Sequence, residues 1–292
     1  MNQRVRRRFA RWAEENGVRV EQAGYPRPQA GGRVDALRLR PARAPRGRVL
    51  AVHGTGNDAL FPLAGLFKVL LGRGLEVFAF DLDGHGRGSD TVFRSGAIGG
   101  AVPAALGAAA DAPAALPLHA VGESLGAALL LRALANRPPL PLRSAVLVGL
   151  PLGLRVTPGV VAREVAGLLS RPGLAAGAHF GAWGSLPAFG PFRRRAHPVR
   201  LAGGAAGPFA YLDEARRALA GLALAKVSEL SAPTLFLTGA RDRVVERGSV
   251  HRLALKTGAE QRLISGATHC VTPVHPSTVA ATVEWILEHN PA

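Results

Sequence analysis

"HAVGESLGAALLLRAL", residues 119–134, joins two runs of different period through Gly122, Glu123, Ser124, Leu125 and Gly126. Before the junction, "LHAVG" (118–122) reads as a buried strand; after it, "SLGAALLLRALANR" (124–137) spaces its apolar residues for a helix. Packing does not ask for a hydroxyl at such a junction. A nucleophile does need the sharp strand-to-helix turn, which lifts its oxygen clear of the backbone. That turn strains the serine and crowds the positions two before and two after it, where Gly122 and Gly126 stand. The opening helix aims its first amides at the same point, which favours a developing anion. The simpler alternative is a tight turn with a helix-capping serine.

Outward from this stretch, short apolar runs alternate with helical ones. "VLAVHG" (49–54), "EVFAFDL" (76–82), "SAVLVG" (144–149), "PTLFLTG" (233–239) and "QRLIS" (261–265) read as further strands, and residues 60–74, 248–258 and 277–290 as helices. Residues 18–40 read as an antiparallel hairpin at one edge. Such alternation predicts an α/β fold, a mostly parallel sheet with helices on both faces. One segment breaks the rhythm. Residues 151–228 hold helical pieces at 159–170 and 211–224 and no strand run, with Phe180, Trp183, Phe189 and Phe192 among glycines and prolines. The expected organisation is a core of 1–150 and 229–292 with a lid inserted at 151–228.

In open parallel sheets, reactive groups gather at the carboxyl ends of the strands. A serine hydroxyl needs a base, and the base needs an orienting acid. "FLTGARDRVV" puts Asp242 just past one strand, and "LISGATHCVTP" puts His269 just past the next. The order Ser124, Asp242, His269 suits this topology. Each residue has a plainer reading: Asp242 paired with Arg241 or Arg243, and His269 bonded to backbone. A tetrahedral intermediate also needs two donors. The amides of Leu125 and of Thr55, in "VHGTGND" (52–58), are the candidates, with Gly54 and Gly56 allowing close approach. A plain glycine-rich turn is the alternative there.

The formal charge is +16, from 36 Lys+Arg against 20 Asp+Glu, and only Lys68, Lys226 and Lys256 are lysines. Scattered arginines with no nucleic-acid module exclude a nucleic acid as an expected partner. The clusters "RVRRRFAR" (4–11) and "FRRRAHPVR" (192–200) are candidates for weak contact with an anionic membrane surface, or are simply solvated faces. The lone cysteine, Cys270, can form no internal disulfide, no apolar signal core follows the basic start, and prolines and Asp111 break the run 97–118. A cytoplasmic location is the expectation. His53, His85 and His269 lack zinc-ligand spacing, so no metal is expected, and "GTGN" is not a phosphate loop.

With these residues in view, the chain resembles the α/β-hydrolases, in the branch of monoacylglycerol lipases, lysophospholipases and related serine esterases. "HGTGN", "FDLDGHGRGSD" (80–90), "GESLGAA" and the Asp242 and His269 loops carry the likeness, over residues 49 to 272. The resemblance implies a cofactor-free serine hydrolase with a lid between two late strands, and a structural role for Asp81. Many relatives have histidine where Glu123 stands; that carboxylate is expected beside the site, where it would alter substrate charge preference. His53, Phe180 and Trp183 are the other candidates for lining the substrate pocket. The expected reaction is hydrolysis of a small acyl ester of short or medium chain. Acyl transfer, thioester or carbon–carbon bond hydrolysis and haloperoxidase chemistry use the same triad. A non-catalytic basic binding protein is the remaining alternative.

Overall fold

The computed structural model describes residues 3–86, 90–110, 116–136, 141–155, 157–169, 199–205 and 208–290. Among them ten strands are formed: β1 (Arg19–Arg27), β2 (Gly32–Arg40), β3 (Gly47–Val52), β4 (Leu75–Phe80), β5 (Leu118–Glu123), β6 (Ser144–Val148), β7 (Arg200–Leu201), β8 (Gly204–Ala205), β9 (Thr234–Gly239) and β10 (Glu260–Ile264). Eight of them make one sheet in the order β1-β2-β4-β3-β5-β6-β9-β10. β1, β2 and β4 pair antiparallel; every later pairing in the sheet is parallel. β3, β4, β5, β6 and β9 are buried at every position, so both of their faces are apolar. At the two edges, β1 and β10 mix exposed and buried positions and carry charges that discourage further pairing.

The helices, numbered here in chain order, are α1 (Gln3–Glu15), α2 (Ala64–Gly72), α3 (Ser95–Ile98), α4 (Ala101–Ala110), α5 (Leu125–Leu134), α6 (Pro158–Leu169), α7 (Pro208–Gly221), α8 (Arg247–Thr257) and α9 (Pro276–Glu288). Alternate residues of each strand feed opposite faces. Leu50, Val52, Phe78, Phe80 and Ala120 pack with α4, α5, α7 and α8. Val49, Ala51, Val77, Ala79 and Val121 pack with α1, α2 and α9. The expected sandwich of a mostly parallel sheet between two helical layers is therefore what the chain builds.

The strand order reverses between β3 and β5: from β3 the chain moves outward to β4, and β5 returns to β3's other side. The carboxyl ends of β3 and β5 therefore flank a topological switch point, the general place for a ligand in an open α/β sheet. At the opposite rim Arg48 and Glu76 form a buried ion pair at 2.7 Å, with Arg38 and Arg40 nearby on β2.

The structure departs from the sequence reading in one segment and gives two others helices that the reading did not specify. The basic run at 4–11 lies in α1, whose Phe9 and Ala13 are buried against the sheet while Arg7, Arg8 and Arg11 stay exposed. The segment 151–228 does contain strands, the two-residue arms of the β7–β8 hairpin, too short to show a period-2 pattern. The Ala-rich run 97–118 carries α4, whose small residues pack closely on the sheet. No helix among the described residues is long and apolar enough to cross a membrane.

Candidate active site

Ser124 sits at φ 50° and ψ −116°, in a region that a β-carbon makes costly, directly between β5 and α5. Its neighbours explain how that conformation is held. The Ser124 amide donates to the Val148 carbonyl of β6 at 2.9 Å. A β-carbon on Gly122 would stand 2.7 Å from the Ala127 Cα, and one on Gly126 would strike the Val52 and His53 carbonyls. Both glycines are thus required by backbone packing around the turn.

The chain brings Asp242 and His269 to this serine. Ser124 Oγ donates to His269 Nε2 at 3.0 Å, and His269 Nδ1 donates to Asp242 Oδ2 at 2.8 Å. The other Asp242 oxygen accepts the Val244 and Val245 amides at 2.9 and 3.0 Å. These bonds, rather than Arg241 or Arg243, set the carboxylate's direction. All three side chains are buried. Gly149, at φ +59° just past β6, gives the imidazole its room: a β-carbon there would lie 3.2 Å from His269 Cε1.

Burial disfavours the imidazolium of His269, but the charge and hydrogen bond of Asp242, with the charges of Glu123 and Glu164, overcome it and push the pKa up to about 9. Burial alone would raise Asp242; the His269 charge and bond and the two amides hold it below the usual carboxylate range. A hydroxyl against an imidazole whose far nitrogen is held by a carboxylate is arranged to lose its proton.

The loop after β3 runs beside the serine. A β-carbon on Gly54 would collide with the Glu123 carboxylate and come within 2.8 Å of Ser124 Cβ, and Gly56 adopts φ +73°. Leu125 opens α5, where first-turn amides lack intrahelical acceptors. Glu123 is buried, and its carboxylate accepts from Asn57 Nδ2 at 3.0 Å and from the Gly54 amide. Burial raises its pKa against those bonds and the nearby His269. The structure thus places Glu123 as a brace for this loop.

His53, expected to line the pocket, braces the same loop from the other side. Its Nδ1 donates to the Gly54 carbonyl at 2.7 Å and its Nε2 accepts the Leu82 amide at 2.8 Å, so both ring nitrogens serve backbone. Phe180 and Trp183, like Phe189 and Phe192, lie outside the described residues.

Three polar side chains that sequence reasoning did not single out also reach the site. Tyr211 of α7 is fully buried; its hydroxyl donates to His85 Nε2 at 3.0 Å and accepts from the Thr55 side chain and the Gly56 amide. Glu164 of α6 accepts the His269 and Cys270 amides at 3.2 and 3.0 Å. Asn57 holds Glu123. Two faint signals were present: Tyr211 is one of two tyrosines in the chain, and Glu164 is the only acid between residues 151 and 212.

Residues 49–282 match the sequence profile described as "Alpha/beta hydrolase family". Comparison with curated proteins returned no match. Among solved structures, the monoacylglycerol lipase of Paleococcus ferrophilus is 21% identical, with 93% of this chain and 99% of that chain covered and a TM-score of 0.59. A thermostable carboxyl esterase from Bacillus coagulans, solved with glycerol, is 13% identical, with 93% and 99% covered and a TM-score of 0.64. A thioesterase domain from the curacin biosynthetic pathway is 18% identical, with 92% and 99% covered and a TM-score of 0.58.

Proposed function

The chain belongs to the alpha/beta hydrolase family, and from that premise we propose that it is a serine hydrolase that cleaves a carboxylic ester through an acyl-enzyme on Ser124. The observation that carries this reading is the unbroken chain Ser124–His269–Asp242, at 3.0 and 2.8 Å, at the sheet's carboxyl rim.

Ser124 Oγ attacks the ester carbonyl as its proton passes to His269 Nε2. Asp242 steadies the imidazolium through Nδ1 and stays ionised. The carbonyl oxygen, now an anion, takes hydrogen bonds from the Leu125 and Thr55 amides; losing one such donor costs about 10²–10³ in rate. His269 returns the proton to the departing alkoxide, which leaves as an alcohol. Water then attacks the acyl-enzyme, giving its proton to His269 Nε2, and the collapse of the second intermediate restores the Ser124 hydroxyl and frees the acid. No cofactor enters this sequence. The segment 151–228 acts as the lid, and a short or medium acyl chain is the expected substrate.

Support for an ester comes from the lipase and the esterase among the similar structures; the thioesterase domain of the curacin pathway favours a thioester as the second reading. The test is labelling with a fluorophosphonate, followed by mapping of the adduct. A single adduct on Ser124, absent in Ser124→Ala together with about 10⁶-fold of the turnover, is the expected result. An adduct elsewhere, or none, overturns the reading. A p-nitrophenyl ester series of increasing chain length, run beside an acyl thioester series, separates the two substrate classes.

A further inference from the structure

We infer that Glu164 is a positioning residue for the catalytic histidine: carried in on α6, its carboxylate clamps the backbone of the loop at 268–270 and so fixes where the His269 ring points. The inference rests on the triad reading above and concerns what holds the base in place.

The clamp uses both carboxylate oxygens. Oε1 accepts the His269 amide at 3.2 Å, Oε2 accepts the Cys270 amide at 3.0 Å, and the Cys270 thiol bonds to the same carboxylate. Glu164 is only 6% exposed although it comes from a different part of the chain, 105 residues before His269. The loop's own turn points elsewhere: the Thr268 carbonyl accepts the Val271 and Thr272 amides and the Thr272 hydroxyl. That turn leaves the two amides at 269 and 270 to an outside acceptor. Buried amides demand partners, and consecutive amides aimed at one point make a small anion cradle. A carboxylate fills it with two charge-assisted bonds, stronger than neutral ones. The helix comes close enough because Gly167, one turn on, passes the loop without a side chain: a β-carbon there would lie 3.2 Å from Thr268 Oγ1.

Two carboxylates therefore divide the work on one residue. Asp242 holds the ring, and Glu164 holds the backbone that carries the ring. The groups facing His269 are Asp242 from the loop after β9, Glu123 and Ser124 from the end of β5, Glu164 from α6, and the neighbouring Cys270 thiol. Glu164 adds a negative charge that favours the protonated base. Because α6 lies between β6 and β9, in the segment read as the lid, this clamp makes the position of the base depend on the seating of that segment.

The experiment measures the second-order rate of fluorophosphonate labelling against pH, with circular dichroism and melting temperature, for the full-length wild type, Glu164→Gln, Glu164→Ala and the exposed neighbour Arg163→Gln. Glu164→Ala removes both acceptors and slows labelling of Ser124 by about 10- to 100-fold, the cost of a misplaced group. Glu164→Gln keeps the size and one acceptor but not the charge, and moves the limb of the profile that reports the base to lower pH by about half a unit. Arg163→Gln behaves as wild type. If both Glu164 variants match the wild type in rate and pH limb, the inference falls while the triad stands. A lower melting temperature with an unmoved pH limb in Glu164→Gln also overturns it, because a merely structural residue would do that. A wild type that is not labelled on Ser124 overturns the triad reading and this inference with it.

Discussion

At Ser124 the backbone is held at positive φ by what surrounds it, the Val148 carbonyl and the close approaches at Gly122 and Gly126. The same holds for the base. Gly149→Ala would add a β-carbon 3.2 Å from His269 Cε1 at a residue with φ +59°. The ring must give way by a few tenths of an ångström, against a strained backbone, so kcat should fall about tenfold with KM little changed, measured on a soluble acyl ester. The protonation of His269 makes a second prediction. The base acts only when neutral, so turnover should climb with pH toward about 9, dropping about tenfold per unit well below that value. Stability runs the other way. A histidine whose folded pKa is raised contributes stability that is complete below its ordinary value of 6.5 and is lost as pH rises through about 9. Melting temperature should therefore decline over the interval in which turnover climbs. Asp242→Asn moves both trends to lower pH and lowers kcat by about 10⁴-fold, which a pH series of melts and rates will read.

At the scale of elements, α6 and α7 each send one buried polar group to the site, Glu164 to the histidine loop and Tyr211 to the loop after β3. Tyr211→Phe keeps the ring packed against His85 and Phe93 but deprives the Thr55 hydroxyl and Gly56 amide of their acceptor. A fall of about tenfold in kcat, with the fold unchanged by circular dichroism, is the expected result if that loop supplies an oxyanion donor. These helices also mark where the sequence stops being legible. Strands such as β3 and β6 are readable because burial on both faces writes an unbroken apolar run, and Ser124 and Asp242 because each follows such a run; His269 follows the mixed edge strand β10 and is legible through its place in the order after Asp242. Glu164 and Tyr211 follow no strand; only the tertiary placement of their helices gives them partners, and local pattern carries no trace of that. His53 misled for the same reason. Its residue type suggested a pocket, whereas two backbone groups brought in from Gly54 and Leu82 claim both nitrogens. α1 was hidden differently, since a dense run of arginines masks the spacing of Phe9 and Ala13.

For the molecule as a whole, the sheet separates two kinds of charge. The carboxyl rim gathers the acids around His269; the opposite rim buries Arg48 against Glu76, with Arg38 and Arg40 close by. Glu76→Gln would strand a guanidinium that is 4% exposed, so unfolding free energy should fall by about 3–5 kcal/mol in a urea titration, with little effect on labelling of Ser124 in the folded protein. The direct pairing of β6 with β9 has a longer reach. Everything between Val148 and Thr234 departs from and rejoins adjoining threads of one fabric, so this seam is a natural splice junction. A donor segment from a relative can be sewn in without altering any register of the eight-stranded sheet, and substrate choice would travel with the graft. Such a chimera keeps its full rate only if the foreign piece brings its own counterparts of Glu164 and Tyr211; a swap lacking them will fold into an intact scaffold slowed by about 10²- to 10³-fold.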